Sequence, residues 1–353
     1  KLLREGTPIP ATGHTLTHTD AKEATERKDG NIEYWHCSVC DRYFSDEACE
    51  NEISRSDTVI PRTGTVPEVI ILNISTAEMP TSHYNSNDST LELTVSVSPE
   101  GAYVPDLVWT SSNEKAAVVD ANGLVTAFAY GRTVITAKDT EGLGLSASCS
   151  IQTRYYDVDP DKYWYSHIYW AAESGITNGF YGGVYFGPEE NCTREQMITF
   201  LYREAGKPAV SQADIKKYSF PDVESGTYYE KAVVWAAKNG ITKGYSSGKY
   251  EGMFGVGLDV TREDTVTFLY RMAKVIAGSS FKDVTATDLK NQSYSFGDVA
   301  SGKYYQKAIV WAAKNGIAKG YSSGENKGKF GVGFNVLRGD IVTFLSRYDA
   351  KFN

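Results

Sequence analysis

The feature that most constrains this chain is a pattern written three times between residues 154 and 353. The first copy runs from Asp157-Val158 through Trp170-Ala171-Ala172-Glu173-Ser174-Gly175-Ile176-Thr177-Asn178-Gly179 to Thr193-Arg194-Glu195. The second runs from Asp222-Val223 through Trp235-Ala236-Ala237-Lys238-Asn239-Gly240-Ile241-Thr242-Lys243-Gly244 to Thr261-Arg262-Glu263. The third runs from Asp298-Val299 through Trp311-Ala312-Ala313-Lys314-Asn315-Gly316-Ile317-Ala318-Lys319-Gly320 to Leu337-Arg338-Gly339-Asp340. Such a period means one supersecondary unit copied and stacked, each copy burying its apolar face against a neighbour. Function is therefore sought at the seams between copies, which points to binding rather than catalysis.

Each copy encodes a helix, a glycine-rich loop and a second helix. In the second copy Tyr229, Ala232, Val233, Ala236 and Ala237 recur at helical spacing and form one apolar stripe. Gly240 stands where a left-handed turn would end that helix, with Gly175 and Gly316 in the other copies, and Asp222 and Ser225 are acceptors for its start. At about 100° per residue, Trp235 falls about 120° from the middle of the stripe. It, like Trp170 and Trp311, either fills the contact between copies, as buried aromatics commonly do, or lines a groove there.

The second helix opens on Thr261-Arg262-Glu263-Asp264, an N-cap threonine with an acid three residues on, and Thr193 with Gln196 repeats the arrangement. Leu337 of the third copy forfeits a cap worth about 1 kcal/mol. Arg194, Arg262 and Arg338 persist in all three copies. An arginine in the first turn faces the positive end of the macrodipole at a cost of roughly a few tenths of a kcal/mol, so its recurrence implies an anionic partner. That partner is either an internal carboxylate, such as Asp222 or Asp298 of a neighbouring copy, or an external carboxylate or phosphate received by guanidinium and helix N-terminus together. The loops Gly244-Tyr245-Ser246-Ser247-Gly248 and Gly320-Tyr321-Ser322-Ser323-Gly324 offer backbone, hydroxyls and a tyrosine, which suit a sugar. They lack the lysine and preceding strand of a phosphate loop, so no nucleotide site is expected.

Bulk numbers agree. A chain of 353 residues suggests two to four domains, and 32 glycines with 24 tyrosines and 23% charged residues describe a loop-rich folded protein. The formal charge of −8 argues against a general nucleic-acid binder. No run approaches the roughly 20 apolar residues of a membrane helix. The opening Lys1-Leu2-Leu3-Arg4-Glu5-Gly6 shows neither an initiating Met nor a signal peptide's apolar core, as expected of a processed or truncated piece. Cys192, with no histidine near it in sequence, reads as a small buried residue rather than a nucleophile. The Arg338-Gly339-Asp340 tripeptide falls at a helix start, not on an exposed loop tip.

Segments 154–204, 219–272 and 295–348 resemble three tandem surface-layer homology (SLH) domains, whose marks are the Asp-Val opening, the Gly-Ile-x-x-Gly turn and a Thr-Arg-Ala-Glu-like helix start. The resemblance implies a pseudo-threefold helical assembly that attaches exported proteins non-covalently to pyruvylated secondary polymers of bacterial cell walls. It further implies that Arg194, Arg262 and Arg338 meet the acidic pyruvyl group in grooves between copies, where Trp170, Trp235, Trp311, Gly244, Tyr245, Gly320 and Tyr321 are further candidate ligand contacts. Copy three departs by losing both the threonine and the acid that follows the arginine. Copies two and three replace the Phe186-Gly187-Pro188 of copy one by Gly252-Met253-Phe254-Gly255-Val256-Gly257 and Gly328-Lys329-Phe330-Gly331-Val332-Gly333. The spacing also differs: Asp157 to Asp222 is 65 residues and Asp222 to Asp298 is 76, the excess lying in 273–294, where Phe281-Lys282-Asp283-Val284 mimics a repeat opening. The expectation is three unequal seams, at most two of them competent and the third, using Arg338, structural.

Upstream, alternating runs at 91–97, 108–110, 117–119, 124–127 and 133–137, separated by Ser112-Asn113, Asp120-Ala121-Asn122-Gly123 and Tyr130-Gly131, predict a small β-sandwich. The stretch from Trp109-Thr110-Ser111-Ser112-Asn113 to Thr133-Val134-Ile135-Thr136-Ala137 resembles the bacterial immunoglobulin-like (Big) domain, which implies a spacer. The first 60 residues hold His14, His18, His36, Cys37, Cys40 and Cys49, and Cys37-x-x-Cys40 is one knuckle of many zinc sites, with His14 or His18 and Cys49 as completing ligands. A structural zinc, a Cys37 to Cys40 disulfide and unligated thiols remain open. The segment around Gly13-His14-Thr15-Leu16 and Tyr34-Trp35-His36-Cys37-Ser38-Val39-Cys40 resembles a short cysteine/histidine repeat of clostridial-type surface proteins, although Glu26 follows Ala24-Thr25 where those repeats carry a cysteine.

The expected fold is multidomain α+β: a small Cys/His module at 1–62, an all-β immunoglobulin-like sandwich at 63–153, then a mainly α-helical pseudo-threefold triplet with repeats at 154–210, 211–278 and 279–353. The expected function is non-catalytic anchoring to a secondary cell-wall polysaccharide or peptidoglycan-linked polymer, outside the cell at the wall or S-layer. The alternatives are the anchoring tail of a larger extracellular hydrolase, and an adhesin for host surface glycan or protein.

Overall fold

The computed structural model describes residues 13–83 and 86–352, so the opening Lys1 to Gly6 and the rest of the first twelve residues lie outside the described residues. The chain forms two compact units. One takes the residues up to Met79 with Thr90–Ala127 and Gly131–Gln152, and the other takes Pro80–Ser89, Phe128–Tyr130 and the chain from Thr153.

The first unit opens with short strands β1 (Leu16–Thr19), β2 (Gly30–Asn31), β3 (Tyr34–Cys37), β4 (Arg42–Phe44), β5 (Glu52–Ile53) and β6 (Val59–Ile60). β1, β3, β4 and β5 form an antiparallel sheet in that order, and β2 pairs with β6. The Cys37 to Cys40 turn joins β3 to β4, closed by the Asp41 N–H donating to the Cys37 carbonyl at 2.9 Å.

Nine further strands follow: β7 (Val69–Asn73), β8 (Glu78–Pro80), β9 (Thr90–Glu92), β10 (Thr94–Ser98), β11 (Leu107–Ser111), β12 (Ala117–Val119), β13 (Leu124–Ala127), β14 (Gly131–Asp139) and β15 (Ser146–Arg154). One sheet runs β11-β14-β15-β8, a second β12-β13-β9, and β10 pairs with β7. Ile135, Ile151 and Met79 from the first sheet pack with Leu91, Ala117, Val125 and Ala127 from the second, which makes this a sandwich with one core. Alternation does the sorting: along β14, Thr133, Ile135, Ala137 and Asp139 are buried and the residues between them are not. Sequence alternation finds β9 to β14 but misses β7, β8 and β15.

The second unit holds α1 (Tyr165–Glu173), α2 (Arg194–Glu204), α3 (Gln212–Tyr218), α4 (Glu230–Lys238), α5 (Arg262–Ala277), α6 (Ala286–Lys290), α7 (Gln306–Lys314) and α8 (Arg338–Phe352). The second helix of each copy packs on the first helix of the next, α2 on α4, α5 on α7 and α8 back on α1. The repeats thus close a ring. At its centre the Cys192 N–H donates to the Val336 carbonyl, Val260 to Cys192 and Val336 to Val260, at 2.9, 2.9 and 3.1 Å. One apolar core runs through all three copies, from Ile168 and Ile198 through Val233 and Leu269 to Ile309 and Leu345.

Two expectations about helix starts change. Asp222 does not cap α4, whose N-cap is Tyr229 with no side-chain cap. Its carboxylate instead accepts the N–H groups of Phe254, Gly255 and Val256 at 2.8, 2.7 and 2.9 Å. Asp298 does the same for Phe330, Gly331 and Val332, and Asp157 for Phe186 and Gly187. The Asp-Val mark therefore pegs the glycine loop, because that loop and not the helix presents a fan of unpaired amides. The 273–294 excess holds α6, which carries the same device as α3: a capping box whose aspartate, Asp214 or Asp288, also takes Lys238 or Lys314 at 2.9 Å. The helix stops follow the sequence, with Gly175, Gly240 and Gly316 at φ of +70°, +69° and +73°.

Candidate functional site

Each seam is assembled from all three copies. In the first, Arg194 is buried at the start of α2, donating from Nε to the Phe254 carbonyl at 3.0 Å and from Nη1 to Asp264 Oδ2 at 2.6 Å. Its guanidinium carbon lies 4.7 Å from the Tyr245 ring and 5.2 Å from that of Phe268. Tyr304 of the remaining copy donates its hydroxyl to Asp264 Oδ1 at 2.6 Å.

The second seam repeats this with Arg262: Nε donates to the Phe330 carbonyl at 2.9 Å, Nη2 to the Lys319 carbonyl at 3.1 Å, and Nη1 stands 3.7 Å from Asp340 Oδ2. Tyr321 and Phe344 supply the ring faces at 5.1 and 5.3 Å, and Tyr163 donates to Asp340 Oδ1 at 2.6 Å. In the third, Arg338 donates from Nε to the Phe186 carbonyl at 2.9 Å and lies 4.1 Å from the Phe180 ring and 5.4 Å from that of Phe200. Here Nη1 meets the Gln196 amide oxygen at 2.9 Å, where the other two arginines meet a carboxylate. Burial pulls the Arg338 pKa down from its usual value, whereas burial pushes the Tyr228 hydroxyl of the same groove up to about 12.

Two of these seams open into cavities. Beside Arg194 lies one of about 320 Å³, bordered by Gly244, Tyr245, Ser246, Ser247 and Arg271, and beside Arg338 one of about 270 Å³, bordered by Asn178, Phe180, Gln196, Arg203 and Tyr228. Arg203 and Arg271 escaped the sequence reading. Each donates to the carbonyl that ends a neighbouring helix turn, Ile176 at 2.8 Å and Ile241 at 3.0 Å, as Arg347 does to Ile317 at 3.4 Å. Their recurrence nine residues after each helix-opening arginine was the available signal, as was that of Tyr163, Tyr228 and Tyr304 before the first helix.

Several expected placements are corrected. Trp170, Trp235 and Trp311 border neither cavity. Trp235 is buried with its ring 5.6 Å from Tyr202 of copy one, and Trp311 is buried among Tyr270, Phe281 and Phe352. Trp170 is half-buried against the same core. Helices pack on their flanks as well as on the central stripe, which brings these rings inward. Gly244 and Tyr245 do border a cavity, and Tyr321 faces Arg262, while Gly320 leaves no room for a Cβ against Phe296. The internal acids of the arginines are Asp264 and Asp340, not Asp222 and Asp298.

The departures of copy three leave its arginine in the same seat. Glu195 and Glu263 accept the N–H groups of Gly257 and Gly333 at 3.0 and 2.9 Å, so the acid lost at Gly339 tied down a loop and not the arginine. A Cβ at Gly339 would stand 2.9 Å from Trp164 Cδ1 and 3.1 Å from the Pro188 carbonyl oxygen. The indole fills the space. Arg338 does open α8, and Cys192 is fully buried with its thiol pushed up to about 12 by desolvation.

In the Cys/His module the donor atoms of His14, Cys37 and Cys40 lie within 4.8 Å of one another, Cys40 Sγ being 3.4 Å from His14 Nδ1. None of the five cysteines is in a disulfide. Backbone N–H groups, that of Cys40 first, bring the Cys37 thiol down to about 6. Cys49, half-buried in the turn after β4, is raised by burial and then by the charges of Asp46, Cys37 and Cys40. His18 stands apart: it bonds Glu33 at 2.8 Å, stacks on Trp35 and groups with Asp20 and Glu33. Two thiols and an imidazole nitrogen fit the donor preferences of zinc.

Residues 154–198, 219–266 and 295–340 match the S-layer homology domain. The C-terminal repeats are SLH domains. Residues 77–149 match the bacterial Ig-like domain (group 2), so the chain is an Ig-like domain followed by an SLH triplet. A 59-residue segment is 41% identical to an uncharacterized protein of Clostridium acetobutylicum, covering 17% of this chain and 6% of that protein. A 100-residue segment is 32% identical to a cell surface protein of Thermoanaerobacter kivui, covering 28% and 13%. Among solved structures, an intimin mutant of EHEC O157:H7 aligns over 30% of this chain and 58% of that one at 20% identity and a TM-score of 0.19. Domains 1–6 of surface layer protein SbsC align over 41% and 22%, at 15% and 0.20. The SLH triplet is a cell-surface anchoring module, and it places this chain outside the cell, at the wall or S-layer. Among the described residues no helix is long and apolar enough to cross a membrane.

Proposed function

We propose that the SLH triplet holds this chain non-covalently to an acidic, pyruvylated secondary cell-wall polysaccharide, with the Ig-like domain as spacer and no catalytic step of its own. The carrying observation is the groove itself: a buried arginine, a second arginine and a tyrosine hydroxyl converge beside an aromatic face, as at Arg338, Arg203, Tyr228 and Phe180. Guanidinium groups suit a carboxylate and ring faces suit a sugar, so the combination recognises a sugar that bears an acid. The test is co-sedimentation with sacculi before and after mild acid has hydrolysed pyruvyl ketals. Retention is expected before and not after; equal retention would sink the reading.

We further infer a structural zinc on His14, Cys37 and Cys40, with Cys49 the thiol available for a fourth position. Bound there, the metal would tie β1 to the β3–β4 turn in a module too small to hold itself by apolar burial. Metal content of the purified full chain by atomic emission, and the loss of its first thermal transition with chelator, check this. A chain that takes up no zinc, or a Cys40→Ser chain that takes up as much as wild type, contradicts it.

A further inference from the structure

The three grooves are chemically unequal, and the inequality lies at one position. Counting along the second helix of each copy, the residue two after the arginine is Gln196, Asp264 or Asp340. Ring closure hands each of these to the arginine of the preceding copy. Arg194 therefore receives Asp264 at 2.6 Å and Arg262 receives Asp340 at 3.7 Å, but Arg338 receives the neutral amide of Gln196 at 2.9 Å. The tyrosines report the same split. Tyr304 and Tyr163 are bonded to those carboxylates at 2.6 Å, while Tyr228 lies at the cavity beside Gln196.

Net charge does not separate the grooves. The cavity at Arg194 is bordered by Arg194, Lys243 and Arg271 against Asp264, and the cavity at Arg338 by Arg338 and Arg203 with no acid. Both carry the same formal excess. What differs is whether the place beside the buried guanidinium is already taken. A carboxylate docking against Arg194 would have to sit next to Asp264, and two like charges in a partly dry site repel. Against Arg338 it displaces only an amide.

We propose that the groove between copies three and one is this chain's anion seat, that Gln196 is the residue that opens it, and that Asp264 and Asp340 act as internal ligands filling the corresponding seats of the other two. This rests on the reading that the grooves take an acidic sugar, and it reverses the ranking expected from the departures of copy three. The Gln196 oxygen that accepts the Thr193 N–H at 3.4 Å is shared with Arg338, and the Thr193 hydroxyl has no hydrogen-bond partner.

The experiment is calorimetric titration of the full chain with the methyl glycoside of a 4,6-pyruvylated hexose, with the unpyruvylated glycoside as control. Wild type is expected to show a single binding event. Gln196→Asp, which installs the residue that the other two copies carry at this position, is expected to weaken it by about tenfold or more. Asp264→Gln is expected to add a second event, abolished by Arg194→Lys. Circular dichroism matching wild type establishes that the variants are folded. Unchanged affinity in Gln196→Asp, or more than one event in wild type, overturns the assignment of the seat while leaving anchoring to sacculi intact. A wild-type chain that ignores the glycoside also overturns it. Retention on sacculi stripped of pyruvyl groups is the separate result that removes the underlying reading.

Discussion

Gly339→Ala is the sharpest stability test of how copy three differs from its siblings. In an ordinary helix the change is favourable by about 1 kcal/mol, because alanine loses less backbone freedom on folding. Gly339 lies in the first turn of α8, has no positive φ, and so raises no conformational objection to a side chain. The objection is spatial. The new methyl would stand 2.9 Å from Trp164 Cδ1, 3.0 Å from Cγ and 3.1 Å from the Pro188 oxygen. Neither neighbour can yield: Trp164 is 4% exposed within the core, and the Pro188 oxygen already accepts the Gly339 N–H at 3.0 Å. Overpacking of this kind costs about 1 to 3 kcal/mol, so the net effect is a destabilisation of about 1 kcal/mol. For a unit of this size that lowers the melting temperature by about 2 to 4 °C, readable by differential scanning calorimetry of the full chain. The aligned residues of copies two and three are Tyr229 and Tyr305, facing copies whose following residue is Glu195 or Glu263. Trp164→Tyr is therefore expected to rescue Gly339→Ala, with a favourable coupling of about 0.5 to 3 kcal/mol in the double-mutant cycle. A Gly339→Ala chain that melts higher than wild type would refute the reasoning.

The remaining predictions concern acid and packing. The Asp222 and Asp298 carboxyls are held below their usual range: burial alone would raise them, but the loop amides outweigh it, and Asp288 is brought to about 2 by the Thr285 N–H and then Lys314. A depressed folded pKa gives stability that is present above about pH 4 and is lost as pH falls toward about 2. The melting temperature of the SLH unit should thus decline below about pH 4 through these groups, and Asp298→Asn should flatten that decline; a slope confined to neutral pH would contradict this. Trp311→Ala removes a ring that is 1% exposed and should cost about 3 to 5 kcal/mol, measured by urea unfolding, while Trp311→Phe should cost clearly less.

Sequence made the repeats legible, since Gly175, Gly240 and Gly316 must take positive φ and Thr261 caps the helix it precedes. The arginine seats were half legible: recurrence marked Arg194, Arg262 and Arg338, but their partners lie 70, 78 and 142 residues away, and no local period reveals Asp264, Asp340 or Gln196 as those partners. The same distance concealed the job of Asp222, which reads as a helix cap until the loop at Phe254 folds over it. The choice between contact and groove for the tryptophans was not legible because a single helix shows one apolar stripe, whereas each of these helices meets neighbours on two sides, and Trp235 and Trp311 fill the contact between copies. In the sandwich, β7 was missed because its run Val69-Ile70-Ile71-Leu72 shows no alternation although Val69 and Ile71 are exposed, and β15, which lies between β14 and β8, because its first half alternates serine only with alanine and cysteine.

The three hydrogen bonds among Cys192, Val260 and Val336 form a circuit with no beginning. A solenoid can gain or lose a repeat and can peel from either tip, surrendering one joint at a time. A closed triangle has no tip. Excision of one copy by recombination between such similar stretches would leave two unmated faces and no intact groove, since every groove borrows from all three. The count is thus set by geometry and not by dosage. Hauled on by whatever it carries, such a fastener holds whole or lets go whole.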